Sequence, residues 1–216
     1  LLQTIAADAD QPAIARATAL QALRSYPDSA TLALIQQGLG SEDPLQRLGA
    51  LDGLESLGAA QRVFAISLLW DDLKAVRIAA ARLLAALPTD QLPEAVQRQL
   101  ATGIREYIAV QEFNAERPEA QLNLGTLYAD QGRDPEAERA NRKAIRLQPR
   151  FVPAYVNMAH LLSRIQREPE AEGFLRSGLE LNPQSADLQY ARQLQRLVPD
   201  NPSVDQLVRD LEAPGH

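Results

Sequence analysis

Apolar residues in the first ninety positions fall at helical intervals, and three stretches share one arrangement. Ile14, Ala17 and Leu20 mark a face of the first stretch, Leu45, Leu48 and Leu51 of the second, and Leu73, Val76, Ala80 and Leu83 of the third. Steps of three and four residues keep side chains on one side of a helix, so each stretch predicts an amphipathic α-helix. Arg16, Arg47 and Arg77 lie within them at a nearly constant interval, each followed three positions later by an alanine small enough for close helix approach. Asp10-Gln11-Pro12 and Ser41-Glu42-Asp43-Pro44 are helix-start signals, combining short polar caps with a proline tolerated in the first turn. Asp71-Asp72 precede the third stretch, where carboxylates suit the positive end of the helix dipole. Thr31–Leu39 and Ala60–Leu69 predict the intervening helices.

The second half repeats at a longer interval. Leu124-Gly125, Tyr128, Ala137, Ala144 and Pro149 are matched, one constant step further on, by Met158-Ala159, Leu162, Ala171, Gly178 and Pro183. Small residues at Gly125, Ala137, Ala144, Ala159, Ala171 and Gly178 let paired helices cross closely. Tyr128, Tyr155 and Leu175 fill the adjacent gaps, and the prolines end the second helices. This resembles two tetratricopeptide repeats, units 118–151 and 152–185, whose pattern is W-x2-L-G-x2-Y, then A-x3-F, then P. Gln121 stands at the Trp position and Asn141 at the large aromatic position, which implies a looser first unit. The first ninety residues resemble short HEAT-like repeats. Between the arrays, 91–116 reads as one bridging helix (Leu92–Asn114), with apolar points at Val96, Leu100, Ile104, Tyr107, Ile108 and Phe113, resembling half of a degenerate tetratricopeptide unit. Ala186–Leu197 predicts a capping helix with a polar outer side, Val204–Leu211 a short helix, and Glu212–His216 a frayed end. The expectation is therefore an all-α helical-hairpin solenoid and an elongated monomer, with arrays at 1–90 and 117–216.

Composition sharpens this picture. Apolar residues make up 45% of the 216 positions but aromatics 5%, so Leu, Ala, Ile and Val must build the core, as helix packing allows. A net charge of −6 supplies no excess to neutralise phosphates, which excludes nucleic acid as the expected partner. With no cysteine and two histidines, His160 and His216, no thiolate zinc site, cysteine nucleophile or haem attachment can form within the chain, and no cofactor or metal is expected. No run reaches the ~18 apolar residues of a membrane span. The chain opens on Leu1, Leu2 and Ile5, which read as the middle of a helix, and it is expected to be a piece of a longer protein.

No catalytic constellation emerges. The serines lack a glycine elbow, and one internal histidine is available to serve them. Asp71-Asp72 and Glu168, Glu170 and Glu172 read as helix-start charges. Arg16, Arg47 and Arg77 read first as a structural ladder pairing with acids or carbonyls of neighbouring repeats, and second as a row of anion contacts. Trp70 reads as filler between helices. On the concave face of the tetratricopeptide array the register places Leu122, Thr126, Ala129 and Asp130 from the first unit, and Val156, His160, Ser163 and Arg164 from the second. Asn123 and Asn157 stand beside them, where the resemblance implies that they organise neighbouring helices. Leu122, Asn123, Thr126, Asp130, Val156, Asn157, His160 and Arg164 are the candidate partner-binding residues. The asparagine clamp by which such arrays grip a C-terminal carboxylate is not reproduced, because Thr126 and His160 replace the asparagines.

The order of the arrays, with Arg-Pro-Glu-Ala-Gln-Leu-Asn-Leu-Gly at 117–125 and Arg-Phe-Val-Pro-Ala-Tyr-Val-Asn-Met-Ala at 150–159, resembles the C-terminal repeat region of bacterial exported multihaem c-type cytochromes. The resemblance implies a non-enzymatic scaffold that binds protein or peptide, in the periplasm or otherwise exported, with haem confined to a preceding part. The alternatives are a stand-alone cytoplasmic adaptor for peptides and a helper domain of a larger enzyme.

Overall fold

A computed structural model gives the architecture and describes residues 1–181 together with Gln195, Gln206, Val208 and Arg209. The helices expected at Ala186–Leu197 and Val204–Leu211, and the tail after them, lie outside the described residues. Among those described, the chain is all-helical, with eleven α-helices packed in pairs and no strand. It divides into two compact units, Leu1–Val110 and Gln111–His216.

The first unit runs through α1 (Leu2–Ala7), α2 (Ala13–Ala22), α3 (Ser29–Leu39), α4 (Pro44–Leu54), α5 (Ala59–Arg62), α6 (Lys74–Leu84) and the greater part of α7 (Glu94–Phe113). Helices α2, α4 and α6 begin at Ala13, Pro44 and Lys74, the same spacing as the three arginines they carry. Asp43 starts α4 by accepting the Leu45 N–H at 2.8 Å, with Pro44 in the first turn, and Asp28 starts α3 through the Thr31 N–H at 2.6 Å. Leu20, Leu23, Ile35, Leu51, Leu54, Leu69, Val76, Leu84 and Leu100 form one buried cluster. Gly49 sets the closest approach: a Cβ there would collide with the Ala17 carbonyl, so α2 and α4 meet backbone to backbone.

Four expectations for the helices up to α7 are corrected. Ala60–Leu69 is α-helical for one turn and continues as a 3₁₀ helix over Val63–Trp70. The tighter coil repeats every three residues, which brings Ala65 and Leu68 to the same buried side. Trp70, two positions past Leu68, turns outward and is 49% exposed rather than packed between helices. Ile14, Leu45 and Leu73 are exposed as well. A three-residue step on an α-helix drifts by about 60°, so the first member of each apolar series falls off the buried arc, and Leu73 is a cap ahead of α6. Phe113, at the end of α7, is 86% exposed instead of an apolar contact point.

The second unit contains two helical hairpins, α8 (Pro118–Asp130) with α9 (Asp134–Leu147), and α10 (Val152–Arg164) with α11 (Glu168–Leu181). Val152 follows Pro118, and Glu168 follows Asp134, by one and the same interval, and the detail recurs with it. Each hairpin turn carries one residue at positive φ, Gly132 at 69° and Gln166 at 61°. The following arginine N–H then bonds back into the preceding helix, Arg133 to the Tyr128 carbonyl and Arg167 to the Leu162 carbonyl, both at 2.8 Å. Arg133 pairs with Glu136 at 2.9 Å and Arg167 with Glu170 at 2.5 Å. Arg142 pairs with Glu138, and Arg176 with Glu172. Ala137, Met158, Ala159, Leu161, Leu162, Ala171 and Leu175 form the unit's apolar cluster. The Tyr155 hydroxyl donates to the Pro149 carbonyl at 2.8 Å, which fixes the link between hairpins.

Candidate functional site

Helices α8 and α10 flank a pocket of about 220 Å³ whose floor is α9. Gly125, Thr126, Ala129 and Asp130 come from α8, Asn141 from α9, and Asn157, His160, Leu161 and Arg164 from α10. Five of the eight candidate partner-binding residues therefore share one surface: Thr126, Asp130, Asn157, His160 and Arg164. The other three lie elsewhere. Asn123 is exposed and donates to the Gln111 side chain at 3.2 Å, Leu122 is half-buried, and Val156 packs against the apolar cluster.

The wall is bonded internally. Thr126 Oγ1 donates to the Leu122 carbonyl at 3.0 Å, as a helical threonine can, and accepts Asn157 Nδ2 at 2.9 Å, so the hydroxyl ties α10 to α8. Arg164 crosses the same gap, donating to the Ala129 carbonyl at 2.6 Å and pairing with Asp134. Its guanidinium thus adds a second donor to the Ala129 carbonyl, which already accepts the Gly132 N–H at 3.1 Å, as well as lining the pocket. The residue spacing gave Arg164 its face but not this bond, which makes it a structural tie as well as a contact candidate. His160 stands exposed at the rim.

Asn141 is the polar pocket residue that the expected set lacks. It is 1% exposed, its Nδ2 donates to the Ala137 carbonyl at 3.0 Å, and its Oδ1 has no donor. The amide lies against Gly125, where an added Cβ would come within 2.8 Å of it. The signal for it was the polar residue at a position where the next hairpin has Leu175, which is buried in the apolar cluster. Gln121, the other departure from the repeat pattern, is also buried and donates to the Ala115 carbonyl at 3.0 Å.

The three arginines of the first unit are engaged structurally. Arg16 donates to the Ala6 carbonyl at 3.2 Å. Arg47 donates to the Ser41 and Glu42 carbonyls at 2.8 and 2.9 Å, and its Nε pairs with Asp71 at 2.7 Å. Arg77 repeats the motif one unit on, reaching the Asp71 and Asp72 carbonyls at 2.7 and 3.0 Å and Glu106 at 3.0 Å. That hydrogen bond holds the Glu106 carboxyl below its ordinary range. With each guanidinium bonded to backbone carbonyls, an anion row on this face would have to displace existing partners. A hollow of about 480 Å³ lies in this unit between Leu1, Leu2, Gln3, Leu23, Tyr26 and Asp28. Its one acid, Asp28, is committed to the start of α3, and the Thr31 N–H keeps its carboxyl below the usual value.

Among the described residues, no group of three or more His, Asp or Glu side chains is placed to hold a metal ion, and no helix is long and apolar enough to cross a membrane. Compared with protein-family models and with curated proteins, the chain matches none.

Proposed function

We propose that the chain is a non-enzymatic protein-interaction scaffold, with HEAT-like hairpins in the first unit and tetratricopeptide hairpins in the second. Its binding surface is the groove between α8 and α10, and its partner is an extended peptide or a helix of another protein. The observation that carries this reading is the pocket, which gathers Thr126, Asp130, Asn157, His160 and Arg164 from two hairpins onto one surface. Both charge signs and several hydrogen-bonding groups converge there, a mixture suited to a peptide rather than to a uniformly charged ligand. The regular recurrence of helices, turns and ion pairs from one hairpin to the next supports the tetratricopeptide assignment. The resemblance of 117–125 and 150–159 extends the proposal to the C-terminal repeat region of an exported multihaem electron-transfer protein.

The test uses the full chain immobilised and washed with a pool of short randomised peptides. Wild type retains a subset, Asp130→Arg retains about tenfold less, and Arg139→Glu, on an exposed outer position, retains as much as wild type. Retention no better than on bare support, or equal loss in Arg139→Glu, overturns the groove assignment.

A further inference from the structure

We infer that the starts of α2, α4 and α6 in the first unit form a docking surface of their own, which takes a basic amphipathic helix of another protein; this does not rest on the groove reading above. Each start presents one large apolar side chain to solvent, Ile14, Leu45 and Leu73, between 43 and 60% exposed. Trp70, just ahead of α6, is exposed with them. Apolar side chains scattered singly over a surface need no explanation, but these recur at the same place in three successive helices.

Packing sets the three starts side by side. An added Cβ at Gly49 would meet the Ala17 carbonyl and one at Gly53 the Leu20 carbonyl, so α2 and α4 run parallel with their starts at one end. Asp71 joins α4 to α6, pairing with Arg47 at 2.7 Å and accepting the Leu73 N–H at 2.9 Å. Packed helices lie about 8–10 Å apart, which is then the interval between apolar contacts along the stripe. Seven residues of a helix advance about 10.5 Å and return close to the same face, so positions i, i+7 and i+14 of a docked helix meet the three starts in turn. An extended chain returns to one face every second residue, at about 6.7 or 13 Å, and misses that interval.

Charge selects the kind of helix. Each start carries an exposed carboxylate near its apolar residue, Asp10, Glu42 and Asp72. Among the described residues none of these three carboxylates is bonded to another side chain. The arginines beneath are already engaged: Arg47 with Asp71, Arg77 with Glu106, and Arg16 with the Ala6 carbonyl, with Asp8 in its field. Asp72 also lies in the field of Arg77, but that guanidinium is shared with Asp71 and Glu106. Lys74 stands exposed next to Leu73 and opposes one of the three. Negative charge therefore remains in excess along the stripe. Lysines or arginines beside the apolar positions of a helix would meet that excess, whereas glutamates there would be repelled.

Trp70 is the chain's single tryptophan and lies at one end of the stripe, so its emission reports on binding there. The full chain is titrated with three synthetic peptides of about 20 residues, long enough as helices to span the three starts. One has leucine at every seventh position flanked by lysines, one has glutamates in place of the lysines, and one is the lysine peptide scrambled. The expected result is a saturable blue shift of Trp70 emission with the lysine peptide and none with the other two. Leu45→Ser and Glu42→Lys should each weaken that binding about tenfold, with circular dichroism as the folding control. Glu112→Lys, the same charge change at an exposed position late in α7, should leave it unchanged. No shift with the lysine peptide, equal binding of the scrambled or glutamate peptide, or an equal loss in Glu112→Lys overturns the inference and leaves the groove reading standing.

Discussion

The two hairpins of the second unit have the same helix lengths, the same turn geometry and the same flanking ion pairs, yet they treat one buried position in opposite ways. At the middle of the second helix, α11 has Leu175, 3% exposed and packed in the apolar cluster, whereas α9 has Asn141, 1% exposed with an oxygen that has no donor. The backbones facing them differ accordingly. Gly125 meets the amide with no Cβ to spare, and Ala159 stands at the equivalent place in α10, inside the apolar cluster. Leu175 therefore contributes buried hydrocarbon, and Asn141 a buried amide whose oxygen the fold leaves without a donor.

Exchanging the two residues tests that division. Leu175→Asn should be the most damaging single change, lowering unfolding stability by about 3–5 kcal/mol, since it removes buried hydrocarbon and strands an amide in its place. Asn141→Leu should act with the opposite sign and raise stability by about 1 kcal/mol, because it removes an acceptor that the fold leaves unpaired. Urea unfolding of both variants measures the pair. A loss at Asn141→Leu as large as that at Leu175→Asn would show that the asparagine is a structural member of the hairpin after all.

Much of this arrangement was legible in the residues, for reasons that also show where legibility ended. Spacing fixes periodicity, so the repeat interval of the second half and the shared face of Thr126, Asp130, His160 and Arg164 could be read from positions alone. Spacing does not specify which atom a long side chain reaches. The bond from Arg164 to the Ala129 carbonyl, and that from Arg77 to Glu106, depend on how helices distant in sequence pack. Nor does an apolar run distinguish α from 3₁₀ coiling. Val63–Trp70 is almost uniformly hydrophobic, and the buried side is decided by tertiary contact, which left Trp70 facing out. Asn141 was visible as a departure from a pattern, but its role as a pocket floor required knowing that Gly125 lies over it.

The turns offer a second exchange with a smaller expected effect. Gly132 and Gln166 occupy equivalent turn positions at φ 69° and 61°, a region that costs an ordinary L-residue roughly 1–2 kcal/mol and glycine almost nothing. Gly132→Gln should therefore destabilise the chain by about 1 kcal/mol. Gln166→Gly should stabilise it by roughly half that, part of the relief being offset by the greater freedom of glycine in the unfolded chain. Thermal melting of the two variants measures both. Equal shifts of the same sign would mean that the turns are not equivalent in solution.

The smallest effect concerns the ion pairs that follow those turns. Glu136 and Glu170 both titrate below the ordinary glutamate range, in each case chiefly because an arginine three positions earlier donates to the carboxylate. A carboxyl whose folded value is depressed adds stability that is fully present above the unfolded value, about pH 4.3, and is lost as pH falls through the folded one. Replacing either residue with glutamine should therefore flatten the acid limb of the stability curve and lower stability only slightly near neutrality. The side chains are about a third to a half exposed, so solvent screening keeps each contribution modest. The two should not be equal, however. Arg167 also pairs with Glu138 at 2.9 Å, so Glu170→Gln leaves it a second carboxylate. Arg133 loses its carboxylate in Glu136→Gln and keeps the Tyr128 ring, 4.5 Å from its guanidinium carbon. Urea midpoints followed from about pH 7 to about pH 3 should thus show the greater flattening at Glu136→Gln. Equal flattening, or more at Glu170→Gln, would mean that Glu138 does not hold Arg167 in solution and that the second hairpin relies on the same single pair as the first.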